Sequence, residues 1–159
     1  MADTTSRLTD TPEGVVTDVP LVYRRRIAWS DTDAARIVYT VRFFEFGMAA
    51  VEAWFRKIWG KHWYRMHVEQ DVGTPFVHID MDMRAPLVPD DIVDVRVLVE
   101  RVGRSSLTFA VDGRRHDGAD CFVARYTCSL VQMNPIRSMP IPADKRRLID
   151  AYIAGCETA

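Results

Sequence analysis

Apolar and polar positions divide the chain into one long segment of helical period followed by several of period two. From residue 41 to about 59, Phe44, Gly47, Met48, Val51, Trp54, Phe55 and Ile58 recur at i, i+3, i+4, i+7, i+10, i+11 and i+14, with Arg42, Glu45, Glu52 and Arg56 on the opposite side. Phe43, Phe46 and Ala50 widen the apolar surface past a single stripe, so the pattern predicts a helix surrounded on most sides. Gly47 inside it costs about 1 kcal/mol against Ala and points to close approach of a neighbouring backbone or ligand.

The period then changes. In residues 76–84, Val77, Ile79, Met81 and Met83 alternate with His78, Asp80, Asp82 and Arg84; in 92–102, Val93, Val95, Val97 and Val99 alternate with Asp94, Arg96 and Glu100. Further strands are predicted over 21–29, 105–112 and 119–133. Residues 84–91 and 112–118 have the Pro, Asp and Gly content of turns, so the last three strands form an antiparallel meander. Residues 61–73 read as helix end and connection. Pro135, Pro140 and Pro142 stop the sheet, and 144–154 forms a short terminal helix. Residues 1–18, rich in Thr, Asp, Pro and Gly, read as a mobile tail ahead of a single domain over 19–159. The expected fold is α+β: a curved antiparallel sheet of about five strands around one long central helix. Its open edges are remedied by pairing across a two-fold axis, which predicts a homodimer at least.

Composition narrows the function classes. The chain has 159 residues, 48% of them apolar, enough for one filled core and too few for two ordinary domains. Its 21 basic and 22 acidic residues leave a net charge of −1, with no electrostatic case for nucleic acid or an anionic membrane. The opening residues lack the order of an export signal, and no apolar run reaches the roughly 18 residues that span a bilayer, so a cytoplasmic protein is expected. Cys121, Cys128 and Cys156 are an odd number and fit a reducing compartment. His62, His67, His78 and His116 lack metal-ligand spacing, so no metal is expected.

The candidate chemistry sits at Trp29-Ser30-Asp31-Thr32-Asp33, between a strand and the amino end of the long helix. That end presents unpaired N–H groups and partial positive charge. A carbonyl placed there is polarised, and an adjacent carboxylate can attack it or activate a water. Asp-x-Asp before a helix is equally the chemistry of capping and turns, and the residues alone leave both readings open. Trp29 reads as core in preference to a substrate wall. Trp54, Trp59, Trp63 and Tyr64, at helical spacing, read as core or dimer contact in preference to an acyl pocket. His78 reads as an ordinary outward strand position, and Cys121 and Cys128 as packed thiols.

The run from Asp31 to Tyr39, continuing into Phe43-Phe44-Glu45-Phe46, with Val72-Gly73-Thr74-Pro75 and Gly103-Arg104-Ser105-Ser106 further on, resembles the 4-hydroxybenzoyl-CoA thioesterase branch of the hot-dog superfamily over residues 20–154. The resemblance implies a hydrolase that cleaves an acyl-CoA thioester to free acid and CoA. It makes Asp33 the catalytic carboxylate, as nucleophile or general base, and Asp31 the structural member. The thioester oxygen then meets a backbone N–H at Thr40, beside Tyr39. The nucleotide end of CoA falls to Arg101, Arg104, Ser105 and Ser106. CoA is part of the substrate and no separate cofactor is implied; the partners are the acyl-CoA and further copies of the chain, as a homodimer assembling to a homotetramer. Two departures matter. Arg36 stands where many relatives have glycine, which bears on a positive φ. Met48 stands where relatives often have an acidic residue, which favours a less polar acyl group over 4-hydroxybenzoyl. Two other readings compete. A hot-dog acyl-thioester dehydratase needs a histidine near the helix start, and none lies between residues 29 and 60. A non-catalytic acyl-CoA or acyl-carrier-protein binding module needs no carboxylate there, and turnover separates the two.

Overall fold

The computed structural model describes residues 11–159, so the first ten residues of the expected tail lie outside the described residues. Six strands form the main antiparallel sheet: β1 (Gly14–Asp18), β2 (Leu21–Arg26), β4 (Phe76–Met83), β5 (Ile92–Val102), β6 (Ser106–Arg115) and β7 (Asp120–Ser129), in the spatial order β1-β2-β5-β6-β7-β4. β3 (Val72–Gly73), β8 (Val131–Met133) and β9 (Ile136–Ser138) form a second, three-stranded sheet in the order β3-β8-β9. The helices are α1 (Thr40–Trp59), α2 (Trp63–Gln70) and α3 (Ala143–Glu157).

The predicted central helix is α1, capped at its carboxyl end by Gly60 in a left-handed conformation with φ 69°. Its aromatic residues fill the hollow of the main sheet. Trp54 is fully buried and meets Phe109 of β6 at a ring separation of 4.8 Å and Tyr152 of α3 at 5.8 Å. Gly47 is explained by a side chain and not by a neighbouring backbone or ligand: a Cβ there would enter the ring of Tyr126 on β7, whose hydroxyl donates to the Phe44 carbonyl at 3.0 Å. α3 is tied to the sheet through Tyr152, whose hydroxyl accepts from Leu21 N at 2.8 Å and donates to Val97 O at 2.5 Å.

Three sequence expectations are corrected. Residues Gly14–Asp18, read as tail, form β1 against β2, which makes the main sheet six-stranded. The stretch read as a connection after α1 contains α2, which buries Met66. The strand expected over 119–133 is divided: β7 ends the chain's run in the main sheet at Ser129, and β8 pairs with β9 on either side of the Asn134-Pro135 turn in the second sheet, where the missing proline N–H is not needed. No helix among the described residues is long and apolar enough to cross a membrane.

Candidate active site

Between β2 and α1 the chain makes a small closed loop. Trp29–Asp31 forms one 3-10 turn; Thr32 then bridges to Val38, Asp33 N donates to Ile37 O at 3.2 Å, and Arg36 N donates to Asp33 O at 3.0 Å. Arg36 closes the turn at φ 64°, the left-handed conformation in which glycine carries no Cβ penalty; the arginine adopts it nonetheless. The loop returns so that Tyr39 N donates to Asp31 O at 2.9 Å, and α1 begins at the next residue. Val38 N donates to Leu87 O and Ile27 N to Asp91 O, both at 2.8 Å, which fastens both ends of the loop to residues 84–91.

The two aspartates diverge in environment. Asp31 is 3% exposed. Its carboxylate takes two 3.0 Å contacts from Arg25 Nη2 and one of 2.9 Å from Ala28 N, and Arg42 Nε approaches to 4.0 Å. Those partners hold it as a strut between β2 and the helix start. Asp33 is exposed; its Oδ1 accepts from Ala35 N at 2.8 Å, and no ion pair neutralises it among the described residues. It lines a cleft of about 550 Å³ with Trp29, Thr32, Ala34, Arg36 and Pro89. Trp29 is 82% exposed and forms a wall of this cleft, which overturns its reading as core; the 3-10 turn rotates it out of the hydrophobic register of β2. Tyr39 caps α1 and Thr40 opens it, both exposed; Arg42 N donates to Tyr39 O at 2.8 Å, while the amides of Thr40 and Val41 precede the first bond of the helix. The α1 first turn carries no acid, so its partial positive charge is available to a developing oxyanion.

Arg101, Arg104, Ser105 and Ser106 meet at the β5–β6 turn. The main-chain oxygens of this turn are consumed inward. Ser106 O accepts from Gly103 N at 2.8 Å, Ser105 O from Leu130 N at 2.6 Å and Arg104 O from Ile141 N at 2.9 Å. Gly103 O accepts from Arg146 Nη2 of α3 at 2.5 Å. Arg101 and Arg104 remain exposed beside the two serines. The turn thus carries two exposed arginines and two half-buried serines within six positions, residue types whose side chains can pair with phosphate oxygens.

A separate cavity of about 260 Å³ lies between α1, α2 and the start of β4, with Met48, Trp63, His67, Gly73, Thr74 and Phe76 in its lining. Trp63 therefore faces a cavity, whereas Trp54 and Trp59 belong to the core and Tyr64 is 70% exposed. His78 points outward and pairs with Asp80 at 3.3 Å. Burial pushes the Cys128 thiol up to about 12 and raises that of Cys121, so neither is a nucleophile at neutral pH.

Two residues that organise these sites escaped the sequence reading. Arg25 had a usable signal: in Leu21-Val22-Tyr23-Arg24-Arg25 the period of two puts it on the inward face with Leu21 and Tyr23, and an inward arginine requires a partner. Arg146 had none, because its bond to Gly103 joins elements 43 positions apart.

The family model described as the thioesterase-like superfamily matches residues 27–149. A 1,4-dihydroxy-2-naphthoyl-CoA hydrolase from Crocosphaera subtropica is 26% identical over 115 residues, 72% of this chain and 83% of the relative. A solved thioesterase-superfamily structure from Jannaschia sp. CCS1 superposes with a TM-score of 0.79 at 35% identity, covering 90% of this chain and 97% of that one. The 4-hydroxybenzoyl-CoA thioesterase from Pseudomonas sp. strain CBS-3 shares the fold with a TM-score of 0.71 at 22% identity, over 80% of this chain and 96% of that one. A sheet curled around one long helix is thus a hot-dog thioesterase architecture. The chain belongs to the thioesterase-like superfamily, and thioester hydrolysis is its class of activity.

Proposed function

We propose that the chain hydrolyses an acyl-CoA thioester carrying an aromatic or other apolar acyl group, with Asp33 as the reacting carboxylate. The observation that carries this reading is the contrast within the aspartate pair: Asp31 is consumed by structure, and Asp33 is left exposed, lining a cleft on the loop that leads into α1. In the general-base route, Asp33 takes a proton from water while the hydroxide oxygen adds to the thioester carbon. Negative charge developing on the carbonyl oxygen is held by the amide of Thr40, next to Tyr39, whose own N–H is engaged by Asp31 O. The C–S bond then breaks, and the thiolate of CoA leaves and is protonated. In the nucleophilic route Asp33 itself adds to the carbon, giving a mixed anhydride that water opens. Single turnover in isotopically labelled water separates them, because label reaches the Asp33 carboxyl ahead of product only in the second.

The CoA phosphates fall to Arg101, Arg104, Ser105 and Ser106, supported by their convergence on one turn. The acyl group falls to the cavity beside Met48, supported by its apolar lining. No separate cofactor enters this scheme. β1 and β4 end the main sheet; β4, eight residues long, is the longer open edge and the proposed seam of a homodimer, with further pairing to a homotetramer. Light scattering of the purified protein tests that assembly. The free thiols fit a reducing compartment, and a cytoplasmic location is proposed.

Asp33→Asn is the deciding experiment. Asparagine retains an acceptor for Ala35 N, so folding is kept while turnover of acyl-CoA, followed with a thiol-reactive dye, falls at least about a hundredfold. Unchanged turnover removes Asp33 from the chemistry, and tight binding of acyl-CoA without turnover in the native protein favours a binding module.

A further inference from the structure

The cavity beside Met48 has a chemical asymmetry that the hydrolysis scheme does not use. Trp63 and Phe76 stand edge to face at 5.7 Å and form two aromatic walls. The volume of about 260 Å³ exceeds the roughly 150 Å³ in which an apolar cavity holds benzene, which leaves room for a ring together with substituents. No carboxylate is in its lining among the described residues; Met48 places a thioether on the α1 side. The one titratable side chain in the lining is His67, in the last turn of α2. The neighbouring charges on α2 are already engaged, Glu69 with Lys61 and with Arg65. The imidazole of His67 is exposed and takes part in no hydrogen bond or ion pair among the described residues.

We infer that His67 is a specificity-determining residue that hydrogen-bonds an uncharged polar substituent on an aromatic acyl ring, the ring itself lying against the joined Trp63 and Phe76 walls. This rests on the reading of the cavity as the acyl site. A neutral imidazole offers one N–H donor and one ring-nitrogen acceptor, so it pairs with a hydroxyl in either direction, which a thioether at position 48 does not. The substrate class is an aromatic acyl thioester with a hydroxyl or comparable group on the ring.

The test compares kcat/KM for benzoyl-CoA and for the three hydroxybenzoyl-CoA isomers in the native protein, His67→Ala, His67→Gln and Asp33→Asn. The native enzyme is expected to favour at least one hydroxylated isomer over benzoyl-CoA by about three- to tenfold, the worth of one neutral hydrogen bond. His67→Ala should bring that ratio to about one, and His67→Gln, which keeps a donor and an acceptor, should restore part of it. A native ratio of one for every isomer overturns the assignment, as does a ratio that survives His67→Ala or an equal loss on all four substrates. Failure of the thioesterase reading looks different: no thioester in the panel is turned over, or Asp33→Asn is as active as the native protein.

Discussion

Arg25 and Asp31 are joined through a single nitrogen: Nη2 of the arginine lies 3.0 Å from both oxygens of a carboxylate that is almost wholly buried. The same guanidinium lies over the ring of Phe46, 4.7 Å from its centroid, so β2, the Asp31–Asp33 loop and α1 share one junction. Asp31→Asn leaves the arginine facing a neutral group. Removing one partner of a fully buried pair costs roughly 3–5 kcal/mol; with Arg25 about a third exposed, the expected loss is on the order of 2 kcal/mol, measured by urea denaturation. Turnover should fall as well, because the Asp31 carboxylate, held by Arg25 and Ala28 N, positions the residue whose main-chain oxygen accepts from Tyr39 N at the helix start.

Gly47 and Tyr126 give a second expectation. Gly47→Ala gains helix propensity worth about 1 kcal/mol but drives a methyl group into the tyrosine ring, and overpacking of this kind costs about 1–3 kcal/mol. Net destabilisation is expected. Tyr126→Phe loses about 1 kcal/mol with the hydroxyl's hydrogen bond to the Phe44 carbonyl. Thermal melts of the two single variants and of the double variant, in which the ring remains, distinguish crowding from hydrogen-bond loss.

Arg36→Gly relieves a left-handed backbone. The penalty for a Cβ in that conformation is roughly 1–2 kcal/mol, offset in part by the greater freedom of glycine in the unfolded chain, so a gain of about 0.5–1 kcal/mol is expected in denaturant midpoints. Since Arg36 lines the cleft with Asp33, the same variant reports on the side chain's part in activity.

Alkaline pH should unfold the protein from the inside. Burial raises the ionisation of Cys128 to about 12, against 9.0 for an ordinary thiol, and shifts Cys121, Tyr126 and Tyr152 in the same direction. The folded state then keeps protons that the unfolded chain releases, so stability is intact below about pH 9 and declines as pH rises towards 12. Urea midpoints across pH 8 to 11 check this, and Cys128→Ala should flatten the decline.

Arg146→Ala frees the Gly103 carbonyl and loosens the turn bearing Arg104. Under the proposed CoA assignment, Arg104→Ala and Arg146→Ala both raise KM for acyl-CoA about three- to tenfold with smaller effect on kcat. Acyl-pantetheine, which lacks the nucleotide, should be insensitive to either change; an equal effect on both substrates would place the damage elsewhere.

Elements with strong periodicity were readable before any coordinates. The long helix and the strand at Ile92–Val102 emerge with nearly their observed bounds because buried faces force spacing on the sequence. β1 left little trace, since four of its five residues are exposed and no apolar alternation is demanded of them. α2 buries Met66 alone and so shows no stripe. The contrast between buried Asp31 and exposed Asp33 follows the family resemblance; its physical origin, an arginine turned inward from β2, is present in the alternation of Leu21, Tyr23 and Arg25. The two clefts and the Arg146 brace depend on contacts between distant segments, and local spacing does not encode those.

The loop's attachment to residues 84–91 gives Leu87, wholly enclosed and far along the chain, mechanical leverage over the carboxylate. Under the proposed role of Asp33, a small drift of that connector would misalign the reacting groups, so a change remote from the chemistry would register as lost catalytic speed.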